Sequence, residues 1–204
     1  MEHPTAEKKL LRKKMRTLRD AAAPEQRAKW SVSIARYVRL HPAYQQAHVV
    51  HVFLSIQSEI DTRPIIEDAF KQGKRVVIPV FALKSNETAN CEIDTLADSA
   101  YDIGGFGLRV PRVMRPVDPA LIDVVLIPLL AFAPASGDSR WLRLGYGAGF
   151  YDTFLSRVQA AKVGIAFSMQ RVAQLPREPH DILLDDVITE DGLATIAQNV
   201  WHQP

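Results

Sequence analysis

Apolar residues recur at helical spacing at Leu10, Leu11, Met15, Leu18 and Ala22, which predicts a first helix capped by Thr5, with basic residues covering its other faces. A second helix is predicted from Pro24, a favourable first-turn proline, through Trp30, Ile34 and Val38 to about Leu40. The period then changes. His48 to Leu54 (HVVHVFL) reads as a strand, Thr62 to Gln72 as a helix closed by Gly73, and Lys74 to Phe81 (KRVVIPVF) as a second strand, which together make one βαβ unit. Asn90 to Leu96 is read as a shorter strand, and the Gly/Pro-rich run from Ile103 to Pro119 as a long connection. Asp123 to Leu130 (DVVLIPLL) is a continuous apolar run, the pattern of a strand buried on both faces. A Gly-rich loop, a helix over about 150–161, a strand at Val163 to Phe167 and a last short strand at Asp186 to Thr189 complete the reading, with frayed terminal residues. This alternation predicts one α/β domain over residues 1–204, with a mostly parallel central sheet and helices on both faces.

Composition narrows the class. The chain has 204 residues, 47% hydrophobic and 24% charged, close to average globular usage, which excludes collagen, coiled coil and disorder. No apolar run approaches the roughly 18–20 residues of a membrane span, and no apolar stretch follows the basic N-terminus as in a signal peptide, so a cytoplasmic location without membrane attachment is expected. The single cysteine, Cys91, cannot form an internal disulfide and reads as a small hydrophobe. A net charge of +2 is too mild to imply a nucleic-acid partner, but its distribution is uneven. Residues 1–40 hold eleven Lys and Arg against four Asp and Glu, whereas residues 178–191 hold six acidic residues and no Lys or Arg.

The most specific local feature is Arg143-Leu144-Gly145-Tyr146-Gly147-Ala148-Gly149-Phe150-Tyr151-Asp152, between a buried strand and a helix. Alternate glycines let backbone N–H groups point at an anion, and the helix that follows adds its positive end. Phosphate is the natural guest, although the spacing is neither the Rossmann fingerprint nor the phosphate loop, and a purely structural turn is the alternative. Asp152 suits a nucleotide's Mg²⁺ or the helix dipole, and Arg143 suits phosphate or solvent. Lys8 and Arg12, four apart on one helix face, could share an anion or form a solvated basic face. Glu59 follows the first strand, where ligands collect in open sheets; it also reads as a loop acid or part of a capping signal. His180-Asp181 and the acidic stretch are a weak metal signal. The Gly-x-Ser-x-Gly elbow, His-Glu-x-x-His and Cys-x-x-Cys are all absent, which disfavours hydrolase triads and structural zinc.

Taken together, Lys8-x-x-x-Arg12, Phe53-Leu54-Ser55-x-Gln57-x-Glu59-Ile60, the Arg143–Asp152 segment, Pro176-x-Glu178-x-His180-Asp181 and Thr189-Glu190 resemble the 5-formyltetrahydrofolate cyclo-ligase family, with the motifs in family order from residue 8 to 190. The resemblance implies the three-layer α/β/α architecture of sugar-phosphate isomerases and coenzyme A transferases. It also implies ATP- and Mg²⁺-dependent closure of 5-formyltetrahydrofolate, with or without a polyglutamate tail, to 5,10-methenyltetrahydrofolate, by a monomer or a dimer. By the same resemblance Lys8 and Arg12 would contact nucleotide phosphates, and residues Arg143, Leu144, Gly145, Tyr146, Gly147, Ala148, Gly149, Phe150 and Tyr151 would wrap ATP. Asp152 would hold Mg²⁺, Leu54 and Glu59 would meet the pterin, and Phe132 and Tyr151 would form apolar walls. The sequence departs from the family pattern at Ala133 to Leu142, a longer stretch that reads as a lid, at Ala148 and at Val110. A phosphosugar or thioester enzyme, and a ligand-binding module without turnover that contacts RNA through its basic N-terminal helix, are the rival readings.

Overall fold

The computed structural model describes residues 4–81 and 88–196; the terminal residues expected to fray lie outside these. In chain order come α1 (Pro4–Ala21), α2 (Pro24–Leu40), α3 (Pro42–Gln46), β1 (Val49–His51), α4 (Arg63–Lys71), β2 (Arg75–Phe81) and β3 (Thr88–Ile93). They are followed by β4 (Tyr101–Ile103), β5 (Arg109–Pro111), β6 (Val124–Pro128), β7 (Ala131–Pro134), β8 (Trp141–Leu144), α5 (Phe150–Leu155), β9 (Ala161–Ile165), β10 (Asp186–Thr189) and β11 (Gly192–Leu193).

Seven strands form one sheet in the order β11-β10-β9-β6-β1-β2-β3. The five inner strands are parallel, and only the edge strands β11 and β3 run antiparallel to their neighbours. The parallel run explains the sequence of β6, whose five residues are all buried because helices cover both faces of the sheet. On one face Val50, Val76, Ile78, Val124 and Leu126 share a core with Ile34, Ala35 and Val38 of α2, Tyr44 of α3, and Ile65, Ile66 and Ala69 of α4. On the other, Val49, Val77, Val125 and Ile127 meet Phe154 and Leu155 of α5. Alternate residues of each strand serve opposite cores, as the two-residue period of a strand requires.

Several predicted elements differ in extent or kind. α2 and β10 stand as expected, α4 and β2 match to within one residue at each end, and Gly73 closes α4 with a φ of 69°, but β1 covers only Val49–His51 of the strand expected over His48 to Leu54. α1 begins at Pro4, which places Thr5 inside the helix rather than at its cap. The apolar stripe expected on α1 is not what buries it: Met15 is 2% exposed, but Leu10 and Leu18 are 70% and 41% exposed. α5 is shorter than its pattern suggested, ending at Leu155. The run expected as a connection from Ile103 holds β5, which pairs back on β4 just before it, and the lid-like stretch after Phe132 belongs to the β7–β8 hairpin, which buries Trp141 against Phe132 with ring centroids 5.5 Å apart. Arg140 pairs with Asp138 in that hairpin's turn. Two short pieces, α3 and β11, had no predicted counterpart.

His51 in β1 is fully buried, its ring 4.6 Å from that of Phe154. Burial pushes its pKa down to about 3, with neighbouring Asn90 offsetting part of the effect. The folded state therefore keeps His51 neutral while the unfolded chain protonates it below about pH 6.5, so stability present above that pH is lost as pH falls, by up to about 1.4 kcal/mol per unit. Urea unfolding at pH 7 and pH 5 is expected to show this loss, and His51→Leu is expected to remove it. An unchanged pH 7-to-5 difference in His51→Leu would refute the assignment.

Candidate functional site

From β1 the chain winds through α4 to β2 on one side; β6 is later laid along the other edge of β1, and β9 and β10 follow outward. The carboxyl ends of β1 and β6 thus part where the winding reverses, the place where open α/β sheets leave a crevice. A cleft of about 1200 Å³ occupies it, larger than the roughly 300–1,000 Å³ of a typical small-ligand site. Its floor is Phe53, Leu54, Pro79, Val80 and Pro128 from the strand ends. Leu108, Arg109 and Val110 of the β4–β5 region, the loop 143–152 and one face of α1 complete its walls.

α1 meets the cleft through its cations. Lys8, Arg12 and Arg16, spaced four apart, line it in a row, because this helix lies over carboxylates and backbone carbonyls rather than over an apolar surface. Lys8 is 5% exposed, and its ammonium lies 2.7 Å from both Glu178 and Asp181. Desolvation acts to lower the Lys8 pKa, but the hydrogen bonds and charges of Asp181 and Glu178 outweigh it and raise the pKa. The acidic stretch at 178–181 is thus a counter-ion for the basic helix. Glu178, His180 and Asp181 bring ligand atoms within 4.8 Å of one another, but two of the three already hold Lys8.

The glycine loop is shaped around two arginines. Arg12 Nε donates to the Gly145 carbonyl at 2.9 Å. Gly147 has a φ of 98°, and a Cβ there would lie 3.1 Å from the Arg12 guanidinium carbon, so only glycine allows both this turn and this approach. Gly149, also left-handed at 69°, caps α5 and leads into Asp152 in its first turn. Arg143 Nη2 donates to Asp152 Oδ1 at 2.8 Å, and its side chain is only 4% exposed. One carboxylate with one oxygen so engaged is a donor set that fits Mg²⁺, which takes one or two protein carboxylates and completes its octahedron with phosphate and water.

A second group surrounds Glu59. The Ile56 N–H donates to its Oε2 at 3.0 Å, and the Tyr146 hydroxyl donates to its Oε1. Burial raises the Glu59 pKa, and Tyr146, the Ile56 amide and the charge of Arg19 pull it partly back. Tyr151 lines the same cleft; its hydroxyl is buried with no hydrogen-bond partner among the described residues, and burial pushes its pKa up. Arg143 lies over its ring at 5.6 Å.

The sequence-predicted residues Lys8, Arg12, Leu54, Glu59 and 143–152 all line this one cleft. Phe132 does not: it is fully buried in the core behind Trp141, and the expectation that it walls a ligand is corrected. The β7–β8 hairpin likewise contributes only its last residues, Arg143 and Leu144, and Trp141 belongs to the core. Sequence reasoning missed Arg16, the charge of Arg19 on Glu59, and the β4–β5 wall. Helical spacing from Lys8 and Arg12 could have signalled Arg16, whereas the hairpin wall carried no local signal.

Fold and cleft define an α/β protein whose cleft sets arginines and a glycine loop beside a half-buried carboxylate. The chain belongs to the 5-formyltetrahydrofolate cyclo-ligase family, whose model matches residues 4–190, and is by that membership a ligase. It is 36% identical to the 5-formyltetrahydrofolate cyclo-ligase of Escherichia coli (strain K12), covering 86% of this chain and 96% of that one. The Mus musculus 5-formyltetrahydrofolate cyclo-ligase is 32% identical, over 92% and 96% of the respective chains. The NMR structure of Aquifex aeolicus 5,10-methenyltetrahydrofolate synthetase superposes with a TM-score of 0.77 at 28% identity, covering 96% of this chain and 99% of that one.

Proposed function

We propose that the protein, with residues 1–204 as one catalytic unit, converts 5-formyltetrahydrofolate and ATP to 5,10-methenyltetrahydrofolate, ADP and phosphate. The observation that carries this reading is a single cleft, large enough for two substrates, that joins an arginine-lined glycine loop to a half-buried carboxylate and an apolar floor. In the proposed reaction the formyl oxygen takes the γ-phosphoryl group, N10 attacks the activated carbon and gives up its proton, and phosphate leaves with the former formyl oxygen.

Such a reaction asks the protein for positioning and charge neutralisation rather than for a nucleophile. Arg12 and Arg143 present fixed guanidinium forks beside the glycine loop, suited to phosphate oxygens. Lys8 spends two of its three donors on Glu178 and Asp181, which leaves one for a phosphate. Asp152 would hold Mg²⁺; bound there, the cation neutralises charge on the phosphates. Glu59 accepts from the N–H groups of the pterin edge, Leu54 packs against the same ring, and Tyr151 walls the reacting end.

Following the near-ultraviolet absorbance of the methenyl product with ATP, Mg²⁺ and 5-formyltetrahydrofolate, with ATP omitted as control, tests the proposal. An ATP-dependent rise is expected, and binding of either substrate without product would refute catalysis. Gly147→Ala forces a left-handed φ on a residue with a Cβ and pushes Arg12 aside, a strain of about 1–3 kcal/mol. The KM for ATP is expected to rise about tenfold, with folate affinity unchanged. An unaltered KM for ATP would separate Arg12 from the nucleotide.

A further inference from the structure

Arg19 is 3% exposed, and a buried guanidinium is stable only with its donors and its charge satisfied. The hydrogen bonds of Arg19 run to two hydroxyls: its Nε donates to Ser58 Oγ at 3.0 Å and its Nη1 to the Tyr146 hydroxyl at 2.8 Å. Each hydroxyl hands its own proton to a carboxylate, Ser58 to Asp20 and Tyr146 to Glu59. Arginine only donates and does not lose its proton, so the Tyr146 oxygen that faces it must accept there, and its O–H must point the other way. With the Ile56 N–H on Oε2, both Glu59 oxygens are met by donors.

We propose that Arg19 and Tyr146 are positioning residues, a relay that orients the Tyr146 proton and so holds Glu59 as an ionised, acceptor-only carboxylate selecting a ligand edge of adjacent N–H donors. This rests on the reading that Glu59 meets the folate ring, and it gives the hydroxyl of Tyr146, in the middle of the glycine loop, a role toward the folate. The other groups facing this corner are Arg16, whose guanidinium lies 5.8 Å over the Tyr146 ring, and Tyr151 and Arg143, with Glu59 and Arg143 both acting on the charge state of Tyr151. Arg19 stacks on the same Tyr146 ring at 5.8 Å.

The test measures kcat and KM for 5-formyltetrahydrofolate across pH, with the dissociation constant for ATP determined separately, in Tyr146→Phe, Arg19→Leu, their double variant and Glu59→Gln. Tyr146→Phe keeps the ring and its packing, so it reads the relay even where Arg19→Leu unfolds. Loss of one charge-assisted hydrogen bond is expected to raise the folate KM about tenfold in Tyr146→Phe, with kcat and ATP affinity within about twofold of wild type. The acid limb of kcat/KM for folate is expected to move to higher pH. The double variant is expected to be no worse than the worse single variant, because both act through one chain of bonds. Additive losses, an unmoved acid limb, or an equal loss of ATP affinity would overturn the relay. If Glu59→Gln weakens folate while Tyr146→Phe does not, the relay alone fails; if Glu59→Gln leaves folate binding intact, the folate reading of Glu59 fails first.

Discussion

Asp152→Asn is expected to stay folded and to lose ATP-dependent turnover by about 10²-fold or more, the scale of removing one charge-stabilising group from a phosphoryl-transfer site. The amide keeps an oxygen for Arg143 Nη2, so the ion pair becomes a hydrogen bond and the arginine keeps its place. It withdraws the negative charge that would hold Mg²⁺ against nucleotide phosphates. The alanine variant is a poorer probe. It would strand the Arg143 side chain, 4% exposed and with its Nε lacking a hydrogen-bond partner among the described residues, and an uncompensated buried charge costs about 3–5 kcal/mol. Thermal unfolding of both variants, with turnover measured against Mg²⁺ concentration, separates the two effects. Wild-type turnover and wild-type Mg²⁺ dependence in Asp152→Asn would remove Asp152 from the metal site.

Glu59→Gln is expected to raise the KM for 5-formyltetrahydrofolate about 10- to 100-fold while ATP affinity stays within about twofold. Glutamine has the same shape but replaces one acceptor oxygen with an NH₂ group, which would face either the Ile56 N–H or the Tyr146 O–H, donor against donor. The pH dependence gives a second readout. Burial holds the Glu59 pKa above the ordinary glutamate value of about 4.3, even after Tyr146, the Ile56 amide and Arg19 have pulled it down. The carboxylate is charged above that raised pKa, so kcat/KM for folate is expected to fall as pH drops through it, and Glu59→Gln is expected to lose that limb. Equal weakening of folate and ATP would contradict the pterin role.

Much of the fold was legible along the chain because its signals are local. The five-residue apolar run of β6, the first-turn proline of α2 and the glycine that closes α4 each act within a few residues of themselves. The hairpins β4–β5 and β7–β8 were not legible: their strands are three or four residues long, and their pairing depends on the sheet they pack beside. Phe132 was misread for the same reason, since an aromatic side chain next to a motif looks alike whether it faces a ligand or Trp141.

The site divides along the same line. The glycine spacing from Arg143 to Asp152, the Lys8/Arg12 pair and the position of Glu59 after a strand are written in the chain, because phosphate loops, helix faces and strand ends follow from short-range geometry. Residues 170 or more apart had to be folded together before Lys8 could be seen to face Glu178 and Asp181. So had Arg19 and Tyr146, 127 apart, before their joint hold on Glu59 appeared. Sequence determined the α/β class and the parts of an anion site, since propensity and periodicity act over a few residues. Tertiary structure alone decided which cation meets which carboxylate, because the charge a buried side chain keeps depends on what the rest of the chain brings within hydrogen-bond reach.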